Sequence, residues 1–423
     1  MVVQMPEKTK DFEISTKVYL DHNATTPVAE EIISNLTNVV GIWGNPSSIH
    51  WAGRAPKSLI REARLKIAEL LGGVSPLEVI FTSGGSESNS CIIRGIYDLQ
   101  VQSKVGDRLD GRTEYITTTV EHPSVLKSFQ WLERHGATVH YLPVNLQGEI
   151  DLDQYQSLLS QKTALVSIMM ANNETGIIFP TQKFSAMAHA AGAYFHSDGV
   201  QALGKISLNL QKLDVDFASF SAHKMYALKG TGVLYAKKGA PVEALIIGGG
   251  QERHRRGGTE NTLGIWAVGT MAAKLTTPGS TVAEYYPKIQ ELRDYFEKRV
   301  LSEVSDVSVT GGLSPRLPNT SSLILNGVDG EILLVSLDLL GFAVSTGAAC
   351  SSGNPEPSPV LISMGLSRAQ AQNSLRISLG YETSKDQIDQ FIEALKATVV
   401  RLRKINSDLI KQNFSDAQGD LNA

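Results

Sequence analysis

Short apolar, β-branched runs alternate along the first half of the chain with longer stretches of helical periodicity. Val79-Ile80-Phe81, Tyr115-Ile116-Thr117, Val139-His140-Tyr141, Leu165-Val166-Ser167-Ile168, Tyr194-Phe195-His196, Phe217-Ala218-Ser219-Phe220 and Val233-Leu234-Tyr235 read as strands. Between them, Ser86 to Gln100, His122 to His135, Asp151 to Ser160 and Thr181 to Ala191 read as helices of crossover length. This alternation predicts an α/β fold with a mostly parallel sheet covered by helices on both faces. Sites in such a fold form outside the carboxyl ends of the strands, so the chemistry is expected just after each run.

Beyond the glycine-rich stretch Gly248 to Gly258 the pattern changes. A long helix around Glu284 to Val300, a strand Ser322 to Leu325, a helix Glu331 to Leu340, a strand Leu375 to Leu379 and a final helix predict a smaller α+β domain. The capping-box pattern Ser384-x-x-Gln387 marks the start of the last helix. The expected division is 26–276 for the large domain, with 1–25 and 277–423 forming the small one. The polar tail from Gln412 to Ala423 is expected to be mobile.

Composition narrows the function classes. The chain has 423 residues, 42% apolar and 19% charged, which excludes disordered and collagenous readings. A net charge of -4 provides no global positive field, so direct nucleic-acid binding is not expected. No apolar run reaches spanning length, and the acidic residues Glu7, Asp11 and Glu13 disfavour a secretory leader. Cys91 and Cys350 are too few for a redox pair in one motif or a four-ligand zinc site. The expectation is a cytoplasmic protein without membrane or metal.

Three strand ends carry unusual residues. Thr82-Ser83-Gly84-Gly85-Ser86-Glu87-Ser88 precedes a helix whose unpaired N–H groups suit a phosphate, although an ordinary tight turn reads as well. Asp198, in Ser197-Asp198-Gly199-Val200-Gln201, is a carboxylate in apolar surroundings that needs a cationic or hydrogen-bonding partner; a helix cap is the alternative. Lys224, in Ser221-Ala222-His223-Lys224, has almost no charged neighbours, and a desolvated amine becomes a nucleophile toward carbonyls. Any one of the three is weak. Together, at the ends of one sheet, they describe a phosphate, a pyridine nitrogen and an aldehyde, the three handles of pyridoxal 5'-phosphate.

Other candidates are less specific. His122 at a helix start reads either as a ring-stacking proton relay or as a structural residue. Asn172-Asn173-Glu174-Thr175-Gly176 reads as a turn or as an amide reaching a ligand. Cys350 lies among small residues, glycines and prolines in what reads as a mobile exposed loop, where a thiol is either a nucleophile or a bystander. Cys91 sits on an apolar helix stripe and reads as core. Arg253-His254-Arg255-Arg256, set among glycines and flanked by Glu252 and Glu260, reads as a folded anion-binding loop rather than a nucleic-acid patch.

Leu20-Asp21-His22-Asn23-Ala24-Thr25-Thr26-Pro27, Gly44-Asn45-Pro46-Ser47-Ser48, Thr82 to Ser88, Asn172 to Gly176, Ser219 to Lys224, Gly248 to Arg253 and Arg256-Gly257-Gly258-Thr259-Glu260-Asn261 together resemble the cysteine desulfurases. These are fold-type I pyridoxal phosphate enzymes of the class V aminotransferase group. The resemblance runs from about Tyr19 to Gly380 and includes Ser374-Leu375-Arg376-Ile377-Ser378-Leu379-Gly380 and the Cys350 loop. It implies that Lys224 holds the cofactor covalently and moves the substrate α-proton. It gives Asp198 the pyridinium nitrogen, Gln201 the ring oxygen, and His122 a stacking and proton-relay role. Gly85, Ser86, Ser221 and His223 would hold the phosphate, with Thr259 reaching in from a second subunit of a homodimer. Asn173 would serve both cofactor and substrate and, with Arg376, bind the substrate carboxylate. Cys350 would take the sulfur of L-cysteine as a persulfide, leaving L-alanine, and pass it to an acceptor such as an iron-sulfur scaffold or the transfer-RNA thiolation machinery. The alternative implied is a selenocysteine lyase or another class V transaminase. His254, where glycine is usual, and a longer Gln100 to Arg112 stretch depart from the family pattern.

Overall fold

This computed structural model describes residues 17–347 and 356–419, with side chains as far as residue 408. Seven strands form its larger sheet: β1 (Val79–Thr82), β2 (Glu114–Thr118), β3 (Thr138–Leu142), β4 (Thr163–Ser167), β5 (Tyr194–Asp198), β6 (Phe217–Ser221) and β7 (Gly232–Ala236). Their order across the sheet is β1-β7-β6-β5-β4-β2-β3. Neighbours pair in parallel except at β7, which runs antiparallel to both β1 and β6. The short segment between β6 and β7 explains that reversal, because a parallel return needs a crossover of a dozen or more residues. Two reversals in succession restore direction, so the carboxyl ends of β1, β5 and β6 share one edge.

Period-two alternation sorts the strand residues onto two faces. Ile116, Val166, Phe195, Ala218 and Val233 pack on one side with Ile67, Phe184 and Val268. Tyr115, Leu165, Tyr194, Phe217 and Leu234 pack on the other with Ile92, Phe129 and Leu132. Cys91 is in this second cluster, as its stripe predicts, and burial pushes its thiol up to about 11. Two helices that the strand-helix alternation does not register, Trp51–Leu70 and Thr262–Thr276, cover the first face. They cross closely at Gly269, where a Cβ would lie 2.4 Å from that of Ala63.

A second sheet is antiparallel, with β9 (Thr320–Leu325) between β8 (Val307–Val309) and β10 (Ser374–Ser378). Leu323, Leu325, Leu375 and Ile377 pack there against Phe296, Leu333 and Phe391 from three helices. The capping box forms as its spacing predicts: Ser384 and Gln387 each donate a backbone N–H to the other's side chain, at 3.0 and 3.2 Å. The helix it opens, Lys385–Gly419, continues past Gln412 into the polar tail. Among the described residues, no helix is long and apolar enough to cross a membrane.

The glycine turn after β1 depends on a neighbour with no side chain. A Cβ on Gly232 would lie 2.5 Å from Gly84 Cα and 2.6 Å from its carbonyl carbon, both backbone atoms that cannot rotate away. Gly232→Ala is therefore expected to cost about 1–3 kcal/mol, read as a lower urea midpoint with an unchanged slope. An unchanged midpoint would show that the turn tolerates displacement.

Candidate active site

The shared strand edge opens onto a cavity of about 320 Å³. Gly85, Ser86, His122, Asn173, Asp198, Gln201, Ser221, His223, Lys224 and Arg376 all border it. The sequence scatters these ten residues over almost 300 positions; the sheet brings them to one place. Thr259 does not join them. It borders a separate cavity of about 210 Å³ beside Glu252, Arg256 and Glu260. Cys350 lies outside the described residues.

Each strand end delivers a different chemistry. After β1 the helix Gly85–Val101 starts without a side-chain cap, which leaves first-turn N–H groups and the positive dipole end available to an anion. After β5 comes Asp198, whose two oxygens accept from Asn89 Nδ2 at 2.7 Å and the Val200 N–H at 2.9 Å. Burial raises its pKa; His122 and Lys224 oppose the rise, yet neither forms a salt bridge with it. After β6 a single helical turn presents Lys224, whose Nζ donates to the carbonyls of Asn23 at 2.5 Å and Ala24 at 2.6 Å. Burial, reinforced by Arg376, pushes this amine down to about 8.

His122 caps the helix Pro123–Arg134, its Nδ1 accepting the Ser124 N–H at 3.1 Å. That bond leaves the ring proton on Nε2. Burial holds the imidazole below its usual pKa, with Asp198 pulling the other way. From the second sheet, β10 contributes Arg376, which donates to the Asn173 carbonyl at 3.1 Å and pairs with Asp21 at 2.7 Å. Among the described residues its Nε is buried without a partner. Asn172 builds the turn, accepting the N–H groups of Glu174 and Thr175, so the turn reading applies to it while its neighbour Asn173 borders the cavity.

Three further polar residues, Asn23, Asn89 and Ser124, border the cavity without a role assigned from sequence. Asn89 lies four residues after Gly85 on one helix face, a polar interruption of an apolar stripe that signals an inward contact. Asn23 follows the two-residue strand Val18–Tyr19 within an unbroken Asp21-His22-Asn23 run. The basic loop is folded, as expected, but it is not free to bind anions throughout: Arg256 pairs with Glu87 at 2.9 Å and Arg255 donates to the Leu77 and Glu252 carbonyls. Glu252, Arg253 and His254 all adopt left-handed backbone angles there.

Residues 18–391 match the aminotransferase class-V family. A cysteine desulfurase of Cereibacter sphaeroides is 41% identical over 392 residues, covering 92% of this chain and 97% of its own. The chain belongs to the cysteine desulfurases of the class-V aminotransferase family. A solved structure titled "NifS-like protein" superposes with a TM-score of 0.82 at 33% identity, covering 91% of this chain and 100% of that one. Another, titled "SspA in complex with cysteine", does so with a TM-score of 0.73 at 29% identity over 86% of this chain and 99% of its own. Cysteine desulfurases depend on pyridoxal phosphate, and these names do not favour the selenocysteine lyase alternative.

One carboxyl beside this desulfurase site makes a pH signature. Glu121 is fully buried; its Oε1 accepts from Thr118 Oγ1 and the Met169 N–H, while Oε2 has no partner. Burial, with Asp198 adding, pushes it up to about 8 from 4.5. The folded state thus holds a proton that the unfolded chain releases across that window, so stability falls as pH rises from 4.5 to about 8. Glu121→Gln is expected to flatten this part of a denaturation-versus-pH series. Parallel curves for the two proteins would contradict the assignment.

Proposed function

We propose that the chain converts L-cysteine to L-alanine, capturing the sulfur as a persulfide on Cys350. The reading is carried by one observation: an uncapped helix start, a buried carboxylate with no cation bonded to it and a lysine of depressed pKa border the same cavity. Those are the complements of a phosphate, a protonated ring nitrogen and an aldehyde. The donors therefore fit pyridoxal 5'-phosphate. Gly85, Ser86, Ser221 and His223 would hold its phosphate, Asp198 its nitrogen, Gln201 its ring oxygen and Lys224 its aldehyde carbon, with Asn173 and His122 at its ring. When bound, the cofactor supplies an electron sink for charge developing at the substrate Cα.

The chain's own residues do the rest. Arg376 and Asn173 hold the substrate carboxylate. Lys224, near neutrality in pKa, accepts the α-proton and returns it. His122, protonated on Nε2, relays a proton to or from the substrate thiol. The Cys350 thiolate attacks the substrate sulfur: a sulfur-sulfur bond forms, the carbon-sulfur bond breaks, and carbon keeps the electron pair and takes a proton to become alanine. The sulfur then passes by a further attack to an acceptor protein, an iron-sulfur scaffold or the transfer-RNA thiolation machinery. A thiolate in this role needs a reducing compartment, which supports a cytoplasmic location.

We extend the proposal to a homodimer in which Thr259 completes the phosphate site of the second subunit. Its place in a separate cavity, away from this chain's own phosphate residues, supports that reading. So do Trp43 and Trp51, about three-quarters exposed and packed edge to face 6.3 Å apart. The proposed domain division is supported in part by the cores: the second sheet's buried core draws on Val18, Leu20 and residues from Ile289 onward, while Val282, Val360, Leu361, Met364 and Ala371 reach across into the first sheet's core.

Four measurements test the reading: colour, product formation, intact mass and light scattering. Protein reconstituted with the cofactor is expected to be yellow, Lys224→Ala is expected to lose the colour, and Cys350→Ser to keep it while alanine and sulfide formation stop. Full turnover in Cys350→Ser would refute the persulfide step. Intact mass of the wild type after cysteine is expected to rise by one sulfur on Cys350. Light scattering should give a dimer, and a fully active monomer would remove Thr259 from the site.

A further inference from the structure

Lys205 is a buried cation-forming residue for which neither the family pattern nor the chemistry above supplies a use. It is 2% exposed, and among the described residues it forms no bond to a carboxylate. Its Nζ meets two oxygens, Asn23 Oδ1 at 2.7 Å and Gln201 Oε1 at 2.5 Å. An apolar side chain of similar length would fill this space without the cost of withdrawing an amine from water. Its presence therefore points to what the amine holds.

The two amides are oriented by this contact. With Oε1 engaged by Lys205, Gln201 turns Nε2 toward the Asn23 carbonyl, which it reaches at 3.1 Å. With Oδ1 engaged by Lys205 and by Asn319 Nδ2 at 3.2 Å, Asn23 turns its own Nδ2 to the Asn173 carbonyl at 3.1 Å and to Thr320 Oγ1 at 2.9 Å. The Asn23 carbonyl also receives Lys224 Nζ. Lys205 thus lies behind the point where Lys224, Gln201 and the Asn173 turn meet. Burial, with Lys224 and Arg376 adding, lowers its pKa well below the usual lysine range.

We propose that Lys205 is a positioning residue, orienting the Gln201 and Asn23 amides so that N–H groups rather than carbonyls face the cofactor and the Asn173 turn. The inference deepens the cofactor reading above and rests on it. Its consequence is electrostatic: a donor aimed at the ring oxygen favours that oxygen's anionic form, whereas a carbonyl aimed there disfavours it.

The test is a pH titration of visible absorbance in reconstituted wild type, Lys205→Met, Gln201→Leu and the double variant, with melting temperatures alongside. Lys205→Met is expected to stay yellow while its titration midpoint moves upward by about one pH unit. Gln201→Leu should move it the same way, and the double variant no further than the larger single shift, since both act through one contact. A lysine that only supports the fold would lower the melting temperature and leave the midpoint in place, which would overturn the proposal; additive shifts in the double variant would overturn it too. Where Lys205→Met does not fold, Lys205→Gln takes its place, since the shorter amide cannot span both oxygens; an upward shift in that variant supports the proposal and an unmoved midpoint overturns it. A wild type that never turns yellow sinks the cofactor reading itself, and this inference with it.

Discussion

Removal of polar groups from water at the strand ends is the constraint on which the site depends. Asp198, Glu121 and Lys205 are withdrawn from solvent, Lys224 is half-buried and His122 stays exposed at the cavity's rim. In water each would sit near its ordinary pKa. At the sheet edge the uncharged forms of the amines and of the carboxyls are favoured, and every departure from that is set by a named neighbour. For Asp198 the burial is opposed by the Val200 N–H, Asn89, His122 and Lys224, whereas for Glu121 it is opposed only by the Met169 N–H and the Thr118 hydroxyl.

That desolvated edge exists only because backbone segments approach closely. Gly232 admits the Gly84 turn, and Gly85 packs where a Cβ would lie 2.6 Å from Val200 Cγ2. The first contact seats the helix start beside β7, and the second seats it against the turn that carries Asp198. A helix N-terminus and a carboxylate of opposite preference are thus fixed in one cavity by the absence of two side chains. The second sheet closes the other side. Its Arg376 is anchored to Asp21 and to the Asn173 carbonyl, tying the N-terminal loop and the Asn172–Gly176 turn to β10.

Much of this is legible in the chain. The seven strand runs appear where their β-branched and apolar content places them, and the capping box at Ser384 forms as its spacing requires. Strongly patterned elements are legible because burial on a sheet face or helix stripe is a local rule. The helix Trp51–Leu70 is not, since its apolar stripe is diluted by five basic side chains and contains Pro56. The antiparallel course of β7 is also hidden, because strand direction is decided by the length of the connection and leaves no mark in the strand's own residues.

The sequence alone determined the chemistry on offer: a lysine, a carboxylate and a glycine turn, each just after a strand, with family motifs in order around them. It did so because strand ends in an α/β sheet are predictable and because those side chains have few other uses in apolar surroundings. Only the tertiary structure decided which of them meet and which are withdrawn from water. Those outcomes depend on distances between residues hundreds of positions apart, such as Asp21 and Arg376, and on the exclusion of water by segments that no local pattern connects.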